Sequence, residues 1–212
     1  MIRAVFFDVA NTLLHKGDLL MRMQEALQKN GIQVSLEHLA ERHKWVSESM
    51  VFPDKTSRAF YEHFNAEMLL ALGAKPSASI ISEMFEACTY LPWSAFDDCA
   101  ALEKLTLPKG VLSNWDSTLR EKLKEHITVE FDWVLGSADT GVQKPNPVFF
   151  QTMIQQSGFD PGDILFIGDS MRLDISPALD CGIKAVLIDR NHHYPQASVK
   201  RITSLHQIFE IL

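Results

Sequence analysis

The sequence predicts an α/β fold: a parallel sheet whose strands alternate with helices, with one all-helical module inserted after the first strand. Three observations carry this. An N-terminal β-branched and aromatic run ends abruptly at an acid, Asp8; residues 15–92 show only helical spacing; and after Pro92 short apolar strands alternate with helices as far as residue 188. Strict alternation of the two element types implies βαβ units, parallel pairing and right-handed crossovers.

Residues 2–7, β-branched and aromatic and ending at an acid, read as a buried strand. Residues 18–30 place Leu19, Leu20, Met23 and Leu27 on one helical face, and Asn30-Gly31 is a stop signal. Ser35 is a cap for a second helix running through Leu39 towards Val46. Residues 57–72 form a third, with Phe60, Tyr61, Phe64, Met68 and Leu72 periodic and Gly73 at its end. Pro76-Ser77 opens a fourth through Ile80, Ile81, Met84 and Phe85. Beyond the module, helices are expected at 96–105, 119–125, 148–156 and 177–180, and strands at 110–113, 133–135, 164–167 and 185–188. The division is therefore a core of residues 1–14 and 93–212 and a helical module of residues 15–92, expected to act as a lid at the carboxyl ends of the strands, where open parallel sheets bind ligands.

Composition narrows the function classes. The 212-residue chain is 46% hydrophobic and has no apolar run long enough to span a bilayer, and its short N-terminal apolar stretch has no small-residue cleavage site, so a signal peptide is not expected. Cys88, Cys99 and Cys181 are odd in number and widely spaced, which suits reduced thiols in a cytoplasmic protein better than a disulfide framework or a zinc site. A net charge of −7 without a basic cluster argues against nucleic acid or an anionic membrane as partner. A small anionic substrate stays compatible, because one metal ion and one lysine reverse the sign locally. Oligomeric state is not legible.

Chemistry-bearing residues follow the strand ends. They are Asp8-Val-Ala-Asn-Thr12, Ser113-Asn114, and Gly168-Asp169-Ser170 with Asp174 further on, while Lys144-Pro-Asn-Pro147 puts a cation at a helix entry. In a parallel sheet these ends converge on one edge. Clustered carboxylates repel unless a hard cation lies among them, and oxygen ligands suit magnesium. Such a metal lets a carboxylate approach a phosphoryl group, and a carboxylate nucleophile divides hydrolysis into two steps. Lys144 and the Ser113 hydroxyl are fitted to hold phosphoryl oxygens. Each residue alone also reads as a turn, cap or surface group; Asn146-Pro147 is a helix N-cap with proline at the first position. The ordered set gives the functional reading its weight.

Phe6-Phe-Asp-Val-Ala-Asn-Thr-Leu-Leu14 resembles the first motif of the haloacid dehalogenase superfamily, an apolar strand followed by Asp-x-Asp-x-Thr. Val111-Leu-Ser-Asn114 is similar to the second, Lys144-Pro-Asn-Pro-Val-Phe149 to the segment carrying the third, and Ile167-Gly-Asp-Ser170 with Asp174 to the fourth. Order and spacing agree over essentially the whole chain, and the helical insertion is similar to the cap placed between motifs one and two. The resemblance implies a Rossmann-like core with an all-helical cap, a magnesium-dependent hydrolase acting on a small phosphorylated metabolite, and Asp8 as nucleophile. It also implies Asp8, the Ala10 backbone carbonyl and Asp169 as Mg²⁺ ligands, Ser113, Asn114 and Lys144 on the substrate, and Asp174 orienting Lys144 or a metal-bound water.

One departure stands out. The superfamily's phosphatases carry an aspartate two residues after the nucleophile, which protonates the leaving group and then activates water; here that residue is Ala10. General acid–base help is worth about 10²–10⁴ in rate, roughly 3–5 kcal/mol of barrier. Four readings accommodate it: a phosphatase with an acid supplied elsewhere, by His15 first and then Asp18 or His43; a phosphonatase-like enzyme using Lys16, Lys29, Lys44, Lys55 or Lys75 as an imine-forming amine; a metal-free 2-haloacid dehalogenase, disfavoured by Asp169; or a catalytically weak phosphate-binding or regulatory protein. Trp45, Phe52, Phe60 and Tyr61 either line a pocket or pack the module's helices together.

Overall fold

The computed structural model describes residues 1–53 and 55–212. They divide into two compact units, Met1–His15 with Ser94–Leu212, and Lys16–Trp93. In chain order the elements are β1 (Ala4–Phe7), β2 (Leu14–His15), α1 (Leu19–Lys29), α2 (Leu36–Ser49), α3 (Arg58–Ala71), α4 (Ala78–Cys88) and β3 (Ser94–Ala95). A 3₁₀ segment (Asp97–Lys104), β4 (Lys109–Ser113), α5 (Leu119–His126), β5 (Trp133–Gly136), α6 (Ser137–Thr140), α7 (Pro147–Ser157) and β6 (Ile164–Gly168) follow. A π-helical turn (Met171–Ile175), α8 (Ser176–Asp180), β7 (Lys184–Ile188), β8 (Arg201–Ile202) and a 3₁₀ segment (Leu205–Glu210) complete the core. Among the described residues no helix is long and apolar enough to cross a membrane.

The main sheet runs β5-β4-β1-β6-β7-β8, every pair parallel. The chain fills one side of β1 with β4 and β5, then returns to fill the other with β6 to β8. The order therefore reverses at β1, and a crevice at the strands' carboxyl ends is the expected consequence. Covered faces on both sides explain why the strands carry apolar runs rather than alternation. On one face Ala4, Phe6, Leu112, Ile164 and Phe166 pack with Phe149, Phe150 and Met153 of α7 and Ala178 of α8. Phe6 lies opposite Gly110 in the β1–β4 register. A Cβ at Gly110 would run into the Phe6 ring, so glycine is required by close approach.

The helical unit closes on its own core, in which Met23, Leu27, Leu39, Phe64, Met68, Leu69 and Met84 are buried. Its starts follow the capping chemistry expected of the sequence. The hydroxyls of Ser35, Ser57 and Ser77 accept from the N–H groups of His38, Phe60 and Ile80 at 3.2, 3.1 and 3.3 Å. Asn146 likewise accepts from Val148 N–H at 3.0 Å, with Pro147 opening α7.

Several features depart from expectation, among them α6 and a 3₁₀ segment at Leu205–Glu210. Residues 97–104 form a 3₁₀ segment in place of the helix expected over 96–105. Its first turn is fixed by tertiary bonds: the Asp98 carboxylate accepts from Arg190 at 2.7 and 3.0 Å, from Ser204 Oγ at 2.8 Å and from Leu205 N–H at 2.8 Å. Strand β8 was not expected, being two residues long and without a periodic pattern. Nor was the antiparallel β2–β3 ribbon, in which Leu14 pairs with Ala95 and His15 with Ser94.

Candidate functional site

Asp8 directly follows β1, and its N–H still bonds the Ile167 carbonyl of β6 at 2.9 Å, so its backbone is held as strand. Ser113 is the last residue of β4 and Asp169 the first beyond β6. These neighbours of β1 bring their ends to the same edge as Asp8. Ser113 Oγ donates to Asp8 Oδ1 at 3.3 Å, and Lys144 Nζ donates to the same oxygen at 2.5 Å. Lys144 Nζ also donates to Asp174 Oδ1 at 2.6 Å. Carboxylate oxygens of Asp8, Asp169 and Asp174 all lie within 4.8 Å of one another.

Local structure explains the precision of this cluster. A Cβ at Gly168 would run into the Asp174 carboxyl, so glycine lets that side chain fold back against β6. The π-helical turn carries Asp174, whose second oxygen accepts from Ser170 N–H at 3.0 Å. Ser170 Oγ in turn accepts from Leu173 N–H at 2.9 Å. Lys144 is placed by its main chain: its N–H donates to Asn114 Oδ1 at 2.7 Å, and its carbonyl accepts from Asn114 Nδ2 at 3.0 Å.

Asp8, Ser113, Lys144 and Asp174 are almost fully buried, at 5%, 2%, 2% and 1% exposure, so charge here is unscreened by bulk water. Burial pushes the Asp8 carboxyl above the ordinary range; Lys144 pulls it back and Asp169 adds to the rise. Asp174 is pushed up to about 7, first by burial, with Lys144 opposing and the charges of Asp8 and Asp169 reinforcing. Burial opposes the charged form of Lys144, but Asp174 and Asp8 outweigh it and hold the ammonium above its usual range. One cation among three acids leaves net negative charge. That imbalance, with an all-oxygen donor set, fits a hard divalent cation.

The other sequence candidates lie elsewhere. His15 is in β2, stacked on Phe96 with ring centroids 4.1 Å apart and planes at 11°. Asp18 is exposed at the start of α1. His43 lies in α2, edge-on to Phe64 at 5.2 Å. Lys16 sits over the Trp93 ring at 5.2 Å, Lys44 pairs with Glu48 at 3.1 Å, and Lys29, Lys55 and Lys75 are exposed. Phe52, Phe60 and Tyr61 pack against one another and against Phe64 and Phe85, the packing alternative, while Trp45 is 40% exposed.

Arg190, unremarked in the sequence, follows β7 and binds the Thr12 carbonyl at 2.9 Å, grips Asp98, and lies over Phe96 at 3.8 Å. The signal that marks the other strand ends, polar residues directly after an apolar run, is also present at Asp189-Arg190 after residues 185–188. In the sequence Gly168 and Ser170 stand only as motif residues; their supporting roles depend on the fold-back of Asp174.

A reversed-order parallel sheet with a buried lysine and an acid cluster at its switch point is an α/β architecture with a candidate site at its strand ends. The haloacid dehalogenase-like hydrolase family model matches residues 2–182, and the chain belongs to that family. Human N-acylneuraminate-9-phosphatase is 25% identical over 227 residues, spanning 93% of this chain and 86% of that protein. Escherichia coli phosphoglycolate phosphatase is 30% identical over 117 residues, 54% of this chain and 46% of its own. A haloacid dehalogenase-like protein of unknown function from Agrobacterium tumefaciens shares the fold with a TM-score of 0.72 at 18% identity, over 100% of this chain and 97% of its own. The protein is thus a phosphatase-like hydrolase of this family.

Proposed function

We propose that the protein is a Mg²⁺-dependent hydrolase of a small phosphorylated metabolite that works through an aspartyl-phosphate at Asp8. The observation that carries this is the convergence on Asp8 Oδ1 of Ser113 Oγ and Lys144 Nζ, with the oxygens of Asp169 and Asp174 within 4.8 Å. Asp8, Asp169 and the Ala10 carbonyl would hold the metal, which when bound neutralises the phosphoryl oxygens facing the acids.

The chain's own residues do the rest. Lys144 and Ser113 hold phosphoryl oxygens beside the Asp8 carboxylate, in a buried setting where such contacts are strong. Asp174 keeps Lys144 charged and aimed. Asn114, with both ends of its amide on the Lys144 main chain, contributes by positioning that lysine. The Lys16–Trp93 unit is the cap and carries substrate selectivity. The acid cluster supports this metal-assisted reading over a metal-free dehalogenase, for which three adjoining carboxylates would be a burden.

The test is release of phosphate from acetyl phosphate and 4-nitrophenyl phosphate with Mg²⁺ or with EDTA. Turnover should need the metal and fall by at least about 10³-fold in Asp8→Asn. Full activity in Asp8→Asn would end the proposal.

A further inference from the structure

We infer that this site is specialised for phosphoryl groups carried on a leaving group that departs unprotonated, acyl phosphates above all, rather than for phosphate esters of ordinary alcohols. The inference rests on the reading of Asp8 as nucleophile and follows from where the protons of the core unit are.

A general acid must reach the bridging oxygen and carry a proton it can give up near neutral pH. Position 10 offers only a methyl group. The ammonium of Lys144 is seated between two carboxylates and donates to both, at 2.5 and 2.6 Å. The Ser113 hydroxyl donates to Asp8. Both Asp174 oxygens are engaged as acceptors, from Lys144 and from Ser170 N–H. Both polar ends of the Asn114 amide bond the Lys144 main chain. His15 is half-buried and stacked on the Phe96 ring, and burial together with the nearby Arg190 charge pushes its imidazole below the ordinary value, disfavouring the protonated form. The groups that hold a phosphoryl group are in place, while position 10, where an acid would face the leaving group, has none.

The consequence is a split between the two classes of substrate. When Asp8 attacks phosphorus, an Asp8 O–P bond forms and the bridging P–O bond breaks, its electron pair leaving with the departing oxygen. A carboxylate, with a conjugate acid near 4, accepts that pair without a proton; a phenolate, near 10, does so less well; an alkoxide does so hardly at all. In the second step water attacks phosphorus, the Asp8 O–P bond breaks, its electron pair restores the carboxylate, and phosphate and a proton are released. No side chain at position 10 draws the proton from that water, so the phospho-Asp8 form is long-lived.

The experiment uses the full chain with Mg²⁺ and measures kcat/KM for acetyl phosphate, for aryl phosphates of graded leaving-group acidity, and for glycerol phosphate. Acid-quenched protein is examined in parallel by mass spectrometry for a phosphoryl group on Asp8. We expect kcat/KM to fall steeply as the leaving group becomes more basic, and phospho-Asp8 to accumulate with acetyl phosphate. In Ala10→Asp the ratio of glycerol phosphate to acetyl phosphate turnover should rise by about 10²–10⁴-fold, the usual worth of a general acid. The slope on the unaltered chain decides the matter even if that variant fails to fold. Asp8-dependent turnover with a flat slope would overturn the inference alone, because a proton donor would then act from elsewhere. Absence of Asp8-dependent phosphate release from every compound would overturn it together with the nucleophile reading.

Discussion

Replacing Lys144 with methionine keeps an apolar stem in the buried slot and removes only the charge. In the parent protein that ammonium bonds two of three carboxylates whose oxygens lie within 4.8 Å of one another. It donates to Asp8 and Asp174 at 2.5 and 2.6 Å. Two like charges 4.8 Å apart repel by roughly 3.5 kcal/mol at an effective dielectric of about 20. Removing one member of a buried ion pair costs about 3–5 kcal/mol in other proteins. The ion-pair figure puts the loss in Lys144→Met at about 3–5 kcal/mol at neutral pH in metal-free buffer, and the repulsion is what the variant leaves without an offset. A ligand that binds only the folded state contributes RT ln(1 + [L]/Kd), about 2.7 kcal/mol at a hundredfold excess over Kd. Mg²⁺ should therefore stabilise the variant more than the parent, since it relieves repulsion that Lys144 no longer offsets. Urea unfolding with EDTA or MgCl₂ measures this for the parent, Lys144→Met, Asp8→Asn and the double variant. Asp8→Asn removes one repelling charge, so it should return about 1–3 kcal/mol in the Lys144→Met background. A metal-free loss below about 1 kcal/mol together with no coupling to Asp8→Asn would refute the electrostatic account.

Other perturbations separate support from chemistry. Asn114→Ala removes both bonds to the Lys144 main chain and should lower kcat/KM about tenfold to a hundredfold by misplacing the ammonium, with unfolding midpoints little changed. Gly168→Ala puts a methyl against the Asp174 carboxyl; calorimetry should show weakened Mg²⁺ binding, with stability falling by about 1–3 kcal/mol. Burial lifts the Asp98 carboxyl, but Arg190, Leu205 N–H and Ser204 outweigh it and hold it below the ordinary 3.8. Its folded value lies under its unfolded one, so its contribution is complete above about pH 4 and is lost as pH falls through the folded value. Asp98→Ala should cost about 3 kcal/mol at neutral pH, and its gap to the parent should close in acid, as read from unfolding midpoints against pH.

The sequence showed the sheet clearly, and the reason is the succession of short apolar runs separated by helical segments. Phe6, Leu112 and Phe166 belong to short apolar runs that only a buried strand explains, and Ser35, Ser57, Ser77 and Asn146 announce helices through capping chemistry local to the chain. The candidate site was legible because chemistry-bearing residues sit directly after strands, and a parallel sheet gathers such positions at one edge. What escaped was decided at long range. Two-residue strands have no period, so β2, β3 and β8 left no pattern. Arg190 meets Asp98 across 92 positions and Thr12 across 178, and nothing beside any of the three announces its partner.

Those long-range bonds bear on Ala10. The turn around it is held from within, with the N–H groups of Thr12, Leu13 and Leu14 all directed at the Val9 carbonyl at 3.3, 2.9 and 2.8 Å. Asn11 adopts a left-handed φ of 62°, and its N–H bonds the Leu14 carbonyl at 2.6 Å. Arg190 then clamps the Thr12 carbonyl from the far side of the sheet order, while its guanidinium is anchored on Asp98 and Phe96. A segment tied at so many points has little freedom to swing another side chain into the space an acid would fill at position 10. Substitution there is therefore not repaired by movement of its own loop. Whatever moves the proton must come with the substrate, from water or from residues outside this turn, and the leaving-group dependence of turnover separates these sources.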